Sequence, residues 1–161
     1  MSDRITLLPL ARIEGTHLAR LVDEFRELLT TSRPEEDPAV ARLVPDAYPD
    51  DLEASLAFSE GTQGDLLDRR TRDAAVVRSA LEPFLTPIEN EDDALTPIDV
   101  VIPDADFDAW LRTLSAMRLV MASRLGIAAE DAHDPEDPRF GVYDWLGYRL
   151  DGLLTAIEDG H

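Results

Sequence analysis

Lysine and cysteine are both absent from this chain of 161 residues, so all fifteen basic residues are arginine. Without lysine there is no amine to form a Schiff base and none to complete a phosphate-binding P-loop. Without cysteine there is neither a thiolate nucleophile nor a thiolate metal ligand. The histidines, His17, His133 and His161, are too scattered for a His-x-x-x-His pair. These absences exclude most familiar catalytic chemistries and favour a protein that binds over one that reacts.

Basic residues are also few beside the acidic ones. The chain has 34 Asp and Glu residues and a formal net charge of -19 at pH 7. Nucleic-acid binding gets much of its free energy from Lys and Arg that release counterions from phosphates, so we expect no nucleic-acid partner. The same charge repels anionic membranes. It either keeps the protein soluble or attracts basic proteins or cations. So many carboxylates guarantee some pairs in any fold, and such pairs are therefore no sign of catalysis.

Long apolar runs are missing as well. No segment reaches the roughly 18 apolar residues that a membrane span needs, and Met1-Ser2-Asp3-Arg4 does not resemble the start of a signal peptide. We therefore expect a cytoplasmic protein with no membrane association. The length and the 44% of hydrophobic residues suit one compact core. The expectation is a single helical domain over residues 1–161, without a cofactor.

The spacing of apolar residues predicts a mainly α fold of five to six helices. The helices are expected at about residues 18–29, 38–43, 51–60, 65–82, 104–125 and 143–158. Gly61-Thr62-Gln63-Gly64 is expected to separate the third helix from the fourth.

Two short apolar runs next to prolines predict a minor two-stranded β element. Ile5 to Leu8, ended by Pro9, is typical of an edge strand or of the approach to a helix. Ile98 to Ile102, stopped by Pro103, is the best strand candidate. When the two halves of the chain are aligned with Ile5 on Ile98, each shows a strand, a proline and a helix in that order. Chance periodicity explains this internal echo as well as duplication does. If the echo is real, the two strands pair and the two long helices pack side by side.

The segment 130–137 is an acidic loop with one imidazole. Its carboxylates would suit a divalent cation. It fails the calcium-loop template, however, because the glycine and the distal glutamate are not at the required offsets. Charge runs are usually solvated loops, and we predict no metal site.

Arg69, Arg70 and Arg72 form the only basic cluster in the chain. They are candidates for contact with an anionic ligand or a protein partner. Arginines three or four places from carboxylates on a helix are also expected as ordinary surface pairs, and both interpretations stay open.

The segment Tyr143-Asp144-Trp145-Leu146-Gly147-Tyr148-Arg149 is the most distinctive local sequence. If Leu146 faces the core, Trp145 and Tyr148 lie toward one flank of the helix, with Gly152 one turn further on. Trp, Tyr and Arg are enriched in interface hot spots, so Trp145, Tyr148 and Arg149 are candidate partner-binding residues. The same flank is equally suited to be a second helix-packing face.

Three segments together resemble an uncharacterised actinobacterial family that is known only as a domain of unknown function. They are residues 37–51, Arg124-Leu125-Gly126-Ile127 and Tyr143-Asp144-Trp145-Leu146-Gly147. Members are commonly encoded beside a ClpS-type adaptor of the Clp protease, and some are labelled transcriptional regulators. The resemblance implies a role near regulated proteolysis and assigns no catalytic residues.

Function is therefore expected to be binding. The leading hypothesis is a non-enzymatic protein-interaction module, an accessory to regulated proteolysis with a Clp component as partner. One alternative is a small enzyme or ligand-binding domain that uses carboxylates and the arginine cluster on an anionic ligand. A transcriptional regulator is disfavoured by the net charge of -19.

Overall fold

Helices dominate the fold, with one small sheet. The computed structural model describes residues 4–32, 36–43, 52–87, 90–126, 136 and 138–159, and only the backbone of 52–64, 139 and 157–159. The elements are β1 (Ile5–Ala11), α1 (Arg12–Thr31), α2 (Pro38–Ala41), α3 (Leu52–Ala80), β2 (Pro97–Pro103), α4 (Asp104–Leu125) and α5 (Gly141–Asp159). Short 3-10 turns lie at Glu82–Leu85, Glu91–Leu95 and Pro138–Phe140. This confirms the predicted mainly α fold with a minor two-stranded β element.

The two strands pair antiparallel along their full length, with Ile5 opposite Pro103 and Ala11 opposite Pro97. Pro9 was expected to end β1 and does not, because the hydrogen bonds of the ladder alternate along a strand. Just beyond the ladder, Asp104 N–H donates to the Arg4 carbonyl and Arg12 N–H to the Thr96 carbonyl. The even-numbered positions of β1 therefore bond to β2, and the odd-numbered ones point their backbone groups away from it. Proline at position 9 costs the ladder nothing.

One long helix replaces the two helices that were expected on either side of Gly61-Thr62-Gln63-Gly64. The α3 backbone is continuous from Leu52 to Ala80. Glycine inside a helix costs roughly 1 kcal/mol relative to alanine, but it does not remove a hydrogen bond as proline does. The helix α3 packs against both α1 and α4, and its Asp73 and Arg78 pair with Arg112 and Asp23 of those helices, so tertiary packing outweighs the local preference of the glycines.

A single buried cluster joins both strands to α1, α3, α4 and α5, with Trp110 and Phe84 among its largest members. The helices α1 and α4 each pack on α3 and form opposite walls of one groove. The strands therefore pair as the internal echo anticipates, while α3 is the main neighbour of both long helices. The last helix, α5, packs on α4 and beside β1. Among the described helices, none is long and apolar enough to cross a membrane.

Candidate partner-binding surface

The carboxylate of Glu14, in the first turn of α1, is where α5 is held to the rest of the protein. Its Oε2 accepts hydrogen bonds from Trp145 Nε1 and from an Arg149 guanidinium nitrogen, both at 2.6 Å. Its Oε1 accepts from the backbone N–H of Ala11 at 3.0 Å, which caps α1. One side chain therefore fixes the start of α1, the end of β1 and the flank of α5 together.

Charge makes this junction strong. The Arg149 and Glu14 side chains are 19% and 26% exposed, so water screens their ion pair only partly. Burial tends to raise the pKa of the Glu14 carboxyl, but the hydrogen bonds from its three donors and the charge of Arg149 together outweigh it. The pKa of Glu14 is lowered, and the carboxylate is ionised at neutral pH.

The other flank of α5 is held by Arg118 of α4. Its guanidinium lies 3.8 Å from the centre of the Tyr143 ring, and its Nε donates to the Tyr143 carbonyl at 3.0 Å. The absence of a side chain at Gly147 makes room for this group, since a Cβ there would lie 2.9 Å from it. Tyr143 and Gly147 therefore shape the contact between α4 and α5.

Tyr148 is placed differently from its neighbours, because its side chain is 69% exposed. It stands at the rim of a groove of about 360 Å3 between β1 and α5. The strand side of this groove is formed by residues 6–9, and the helix side includes Asp151 and Gly152. A Cβ on Gly152 would meet nothing within 4 Å, so this wall of the groove is open. Trp145, Tyr148 and Arg149 all lie in the first half of α5, and Tyr148 is the one of the three whose side chain is exposed.

The outer face of the sheet is mainly apolar and exposed. Along β1 and β2 the even-numbered side chains, such as Leu8 and Val100, are buried, so the odd-numbered ones face outward. Ile5, Leu7 and Val101 are 56%, 50% and 50% exposed, and Leu7 lies directly opposite Val101. Because Leu7 also lines the groove that carries Tyr148, the two features are continuous. We name Ile5, Leu7, Val101 and Tyr148 the sheet–α5 surface.

The arginine cluster on α3 does not converge. Arg69 and Arg72 are exposed, whereas Arg70 is partly buried and donates to the Leu43 carbonyl at 3.3 Å. Burial lowers the pKa of Arg70 from its ordinary value. None of the three lines any of the four grooves formed by α1–α4, α1–α5, α4–α5 and β1–α5.

Most of the acidic loop at 130–137 lies outside the described residues. Elsewhere, among the residues that the structure describes, His, Asp and Glu nowhere form a group of three that could hold a metal ion.

Residues 2–157 match the model of a protein family described as a domain of unknown function, DUF2017. The chain belongs to the DUF2017 family. No curated protein and no solved structure matches it.

Geometry explains much of what is distinctive in this DUF2017 sequence. Asp37 caps α2 by accepting from Ala39 N–H, and both of its carboxylate oxygens accept from Arg124, at 2.7 and 2.8 Å. Two of the segments behind the family resemblance thus pair with each other. Gly126 ends α4 in the left-handed conformation, at a φ of 72°.

Sequence reasoning missed Glu14, Arg118 and the outward face of the sheet. Glu14 carries a signal, because a Glu at the third position of a helix is half of a capping box. The outward face of the sheet also carries a signal in the sequence. The strand β1 has apolar residues on both of its faces, whereas a strand with one face in water usually alternates apolar and polar residues. Nothing local marks Arg118, whose role depends on where α5 packs.

Proposed function

We propose that this DUF2017 protein is a non-enzymatic protein-interaction module whose partner docks on the sheet–α5 surface. The observation that carries the proposal is the exposure of Ile5, Leu7 and Val101 side by side on one face. Adjacent large apolar side chains in contact with water are characteristic of interaction sites. Tyr148 extends this face, and tyrosine is enriched among the residues that contribute most to binding.

Charge supports a basic partner. Asp99 lies on the outer face of the sheet opposite Pro9, and Asp151 lines the groove beside Tyr148. Arg149, a cation that lines the same groove, is already paired with Glu14. With a net charge of -19, the protein repels acidic proteins and attracts those with exposed Lys and Arg, which raises the rate of encounter.

We further propose that the partner belongs to the machinery of regulated proteolysis and that the protein acts in the cytoplasm. The support is the resemblance to an actinobacterial family encoded beside a ClpS-type adaptor. A purified ClpS-type adaptor and the Clp subunits are therefore the first partners to test.

The experiment compares three forms of the tagged protein as baits in a native lysate and against the purified Clp components. The test variant, Leu7→Gln with Val101→Gln, makes two side chains of the sheet face polar without adding charge or entering the core. The control, Leu85→Gln, changes a side chain of similar exposure, 45%, in the turn after α3. We expect the test variant to weaken capture of a specific partner at least about tenfold and the control to retain it. Equal capture by all three forms, or no specific partner, would contradict the proposal.

A further inference from the structure

One edge of β1 has backbone groups that no other described residue bonds to. The odd-numbered residues of both strands point their N–H and C=O groups away from the ladder, and no third strand joins the sheet within the described residues. On the outer edge of β1, the Ala11 N–H donates a hydrogen bond to the Glu14 carboxylate. The Pro9 carbonyl accepts one from the Arg149 guanidinium, at 3.4 Å. No described group bonds to the outward N–H of Ile5 or of Leu7. Within the part of the chain that the structure describes, the first half of this edge is therefore open.

The outer edge of β2 is better protected. Its outward positions are 97, 99, 101 and 103, and Pro97 and Pro103 occupy both ends. Prolines have no N–H to donate, and charged side chains such as Asp99 discourage strand pairing, which are two common ways of blocking a sheet edge. The outer edge of β1 also carries a proline, Pro9, but its first half has neither a proline nor a charged side chain, and a groove runs beside it. The β1 edge is therefore the one suited to accept another strand.

The groove between β1 and α5 runs along this open edge. Its volume of about 360 Å3 is bounded by residues 6–9 of the strand and by the side of α5 that carries Tyr148 and Gly152. A groove between an edge strand and a helix is the arrangement in which several recognition domains bind peptides by strand addition. Main-chain hydrogen bonds then supply affinity, and the helix contacts alternate side chains.

We infer that the partner of the proposed function contributes an extended segment, apolar at alternate positions and carrying Lys or Arg between them, which adds as a third strand to the outer edge of β1. Its main chain bonds to Ile5 and Leu7, its apolar residues extend the outer face of the sheet, and its cations face Asp151. The inference rests on the proposed function and names its mode of binding.

Charge complementarity selects this occupant over a second copy of the chain. Two copies would bring together two molecules that each carry a net charge of -19. Like charges across an interface are unfavourable, whereas a basic segment gains from the same field.

Amide hydrogen exchange followed by NMR tests the inference directly. The probe is a peptide of about eight residues in which Lys alternates with Val, close to the usual length of a strand. Thr6 and Leu8 bond to β2 and should exchange slowly without the peptide, while Ile5 and Leu7 exchange fast. At saturation the exchange of Ile5 and Leu7 should slow at least tenfold. A peptide that alternates Lys with Ser has the same charge and should give no protection. Binding of the Lys–Val peptide without protection at Leu7, or no binding, would overturn the inference.

Two proline variants separate the edges. Leu7→Pro and Val101→Pro each remove one outward N–H and one half-exposed aliphatic side chain, at directly opposed positions that carry no ladder bond. Each is compared with the alanine variant at the same position, which removes the side chain but keeps the N–H. Strand addition to β1 predicts that Leu7→Pro weakens peptide binding at least tenfold more than Leu7→Ala does, whereas Val101→Pro weakens it no more than Val101→Ala. An extra loss from proline at both positions, or at Val101 alone, overturns the inference and leaves the proposed function standing. The proposed function fails separately, in the capture experiment with Leu7→Gln and Val101→Gln.

Discussion

Replacing Glu14 by glutamine should loosen α5 from the rest of the fold. The new side chain has the same shape but only one acceptor oxygen, so it cannot serve the Ala11 N–H and the Trp145 and Arg149 donors at once. A hydrogen bond to a charged group contributes about 1.5–3 kcal/mol, and breaking a fully buried ion pair costs about 3–5 kcal/mol. Because this pair is partly exposed, at 19% and 26%, we expect Glu14→Gln to lower the free energy of unfolding by about 2–3 kcal/mol.

Urea unfolding, followed by far-ultraviolet circular dichroism and by tryptophan fluorescence, measures this change. The exposed Glu27 lies on the same helix, and Glu27→Gln should stay within about 0.5 kcal/mol of the parent protein. Combining Glu14→Gln with Arg149→Gln should cost less than the sum of the two single changes, because both remove the same ion pair. A loss below about 1 kcal/mol, or strict additivity, would refute the view that this carboxylate anchors α5.

Three further predictions concern stability. Since the pKa of Glu14 is lowered in the folded protein, its contribution is complete above the ordinary glutamate pKa of about 4.3 and is lost as pH falls through the lower folded value; urea midpoints between pH 6 and pH 3 should therefore drop more in the parent protein than in Glu14→Gln. Gly15→Ala would push a Cβ into the Phe84 ring and should cost about 1–3 kcal/mol in urea unfolding, whereas Gly152→Ala, with open space, should stabilise by up to about 1 kcal/mol. Asp37→Asn keeps the helix cap but loses the ion pair to α4, and the resulting drop in Tm should shrink in about 1 M salt.

Secondary structure could be predicted where periodicity is strong and local. The stripes of apolar residues predicted α4 and α5 to within two residues at each end, whereas α1 begins at Arg12, six residues before its predicted start. The glycines at 61 and 64 were misleading because their local cost is small beside the packing of a helix that touches two others. Pro9 was misleading for a related reason. Whether a proline ends a strand depends on whether its position is one that bonds to the neighbouring strand, and the pairing of the two strands decides that.

The candidate surface depended on distant pairs, which a single sequence does not reveal. Glu14 and Trp145 are 131 positions apart, and Arg118 reaches the Tyr143 carbonyl from another helix. Residue types alone left two uses open for the aromatic flank of α5, namely packing and partner binding. In the structure, Trp145 makes a packing contact with α1, because its Nε1 donates to Glu14. The side chain of Tyr148 is exposed, so it is an aromatic group that a partner can reach.

The anchoring of α5 and the open edge of β1 are linked by one side chain. Arg149 bonds to Glu14 and also to the Pro9 carbonyl, so it fixes the distance between the helix and the strand just beyond the open half of the edge. A groove whose walls are held in place loses less conformational entropy when it binds an extended segment. The same contact occupies the backbone at Pro9, so an added strand has to end there. The ion pair that stabilises the fold therefore also sets the width and the length of the proposed binding site.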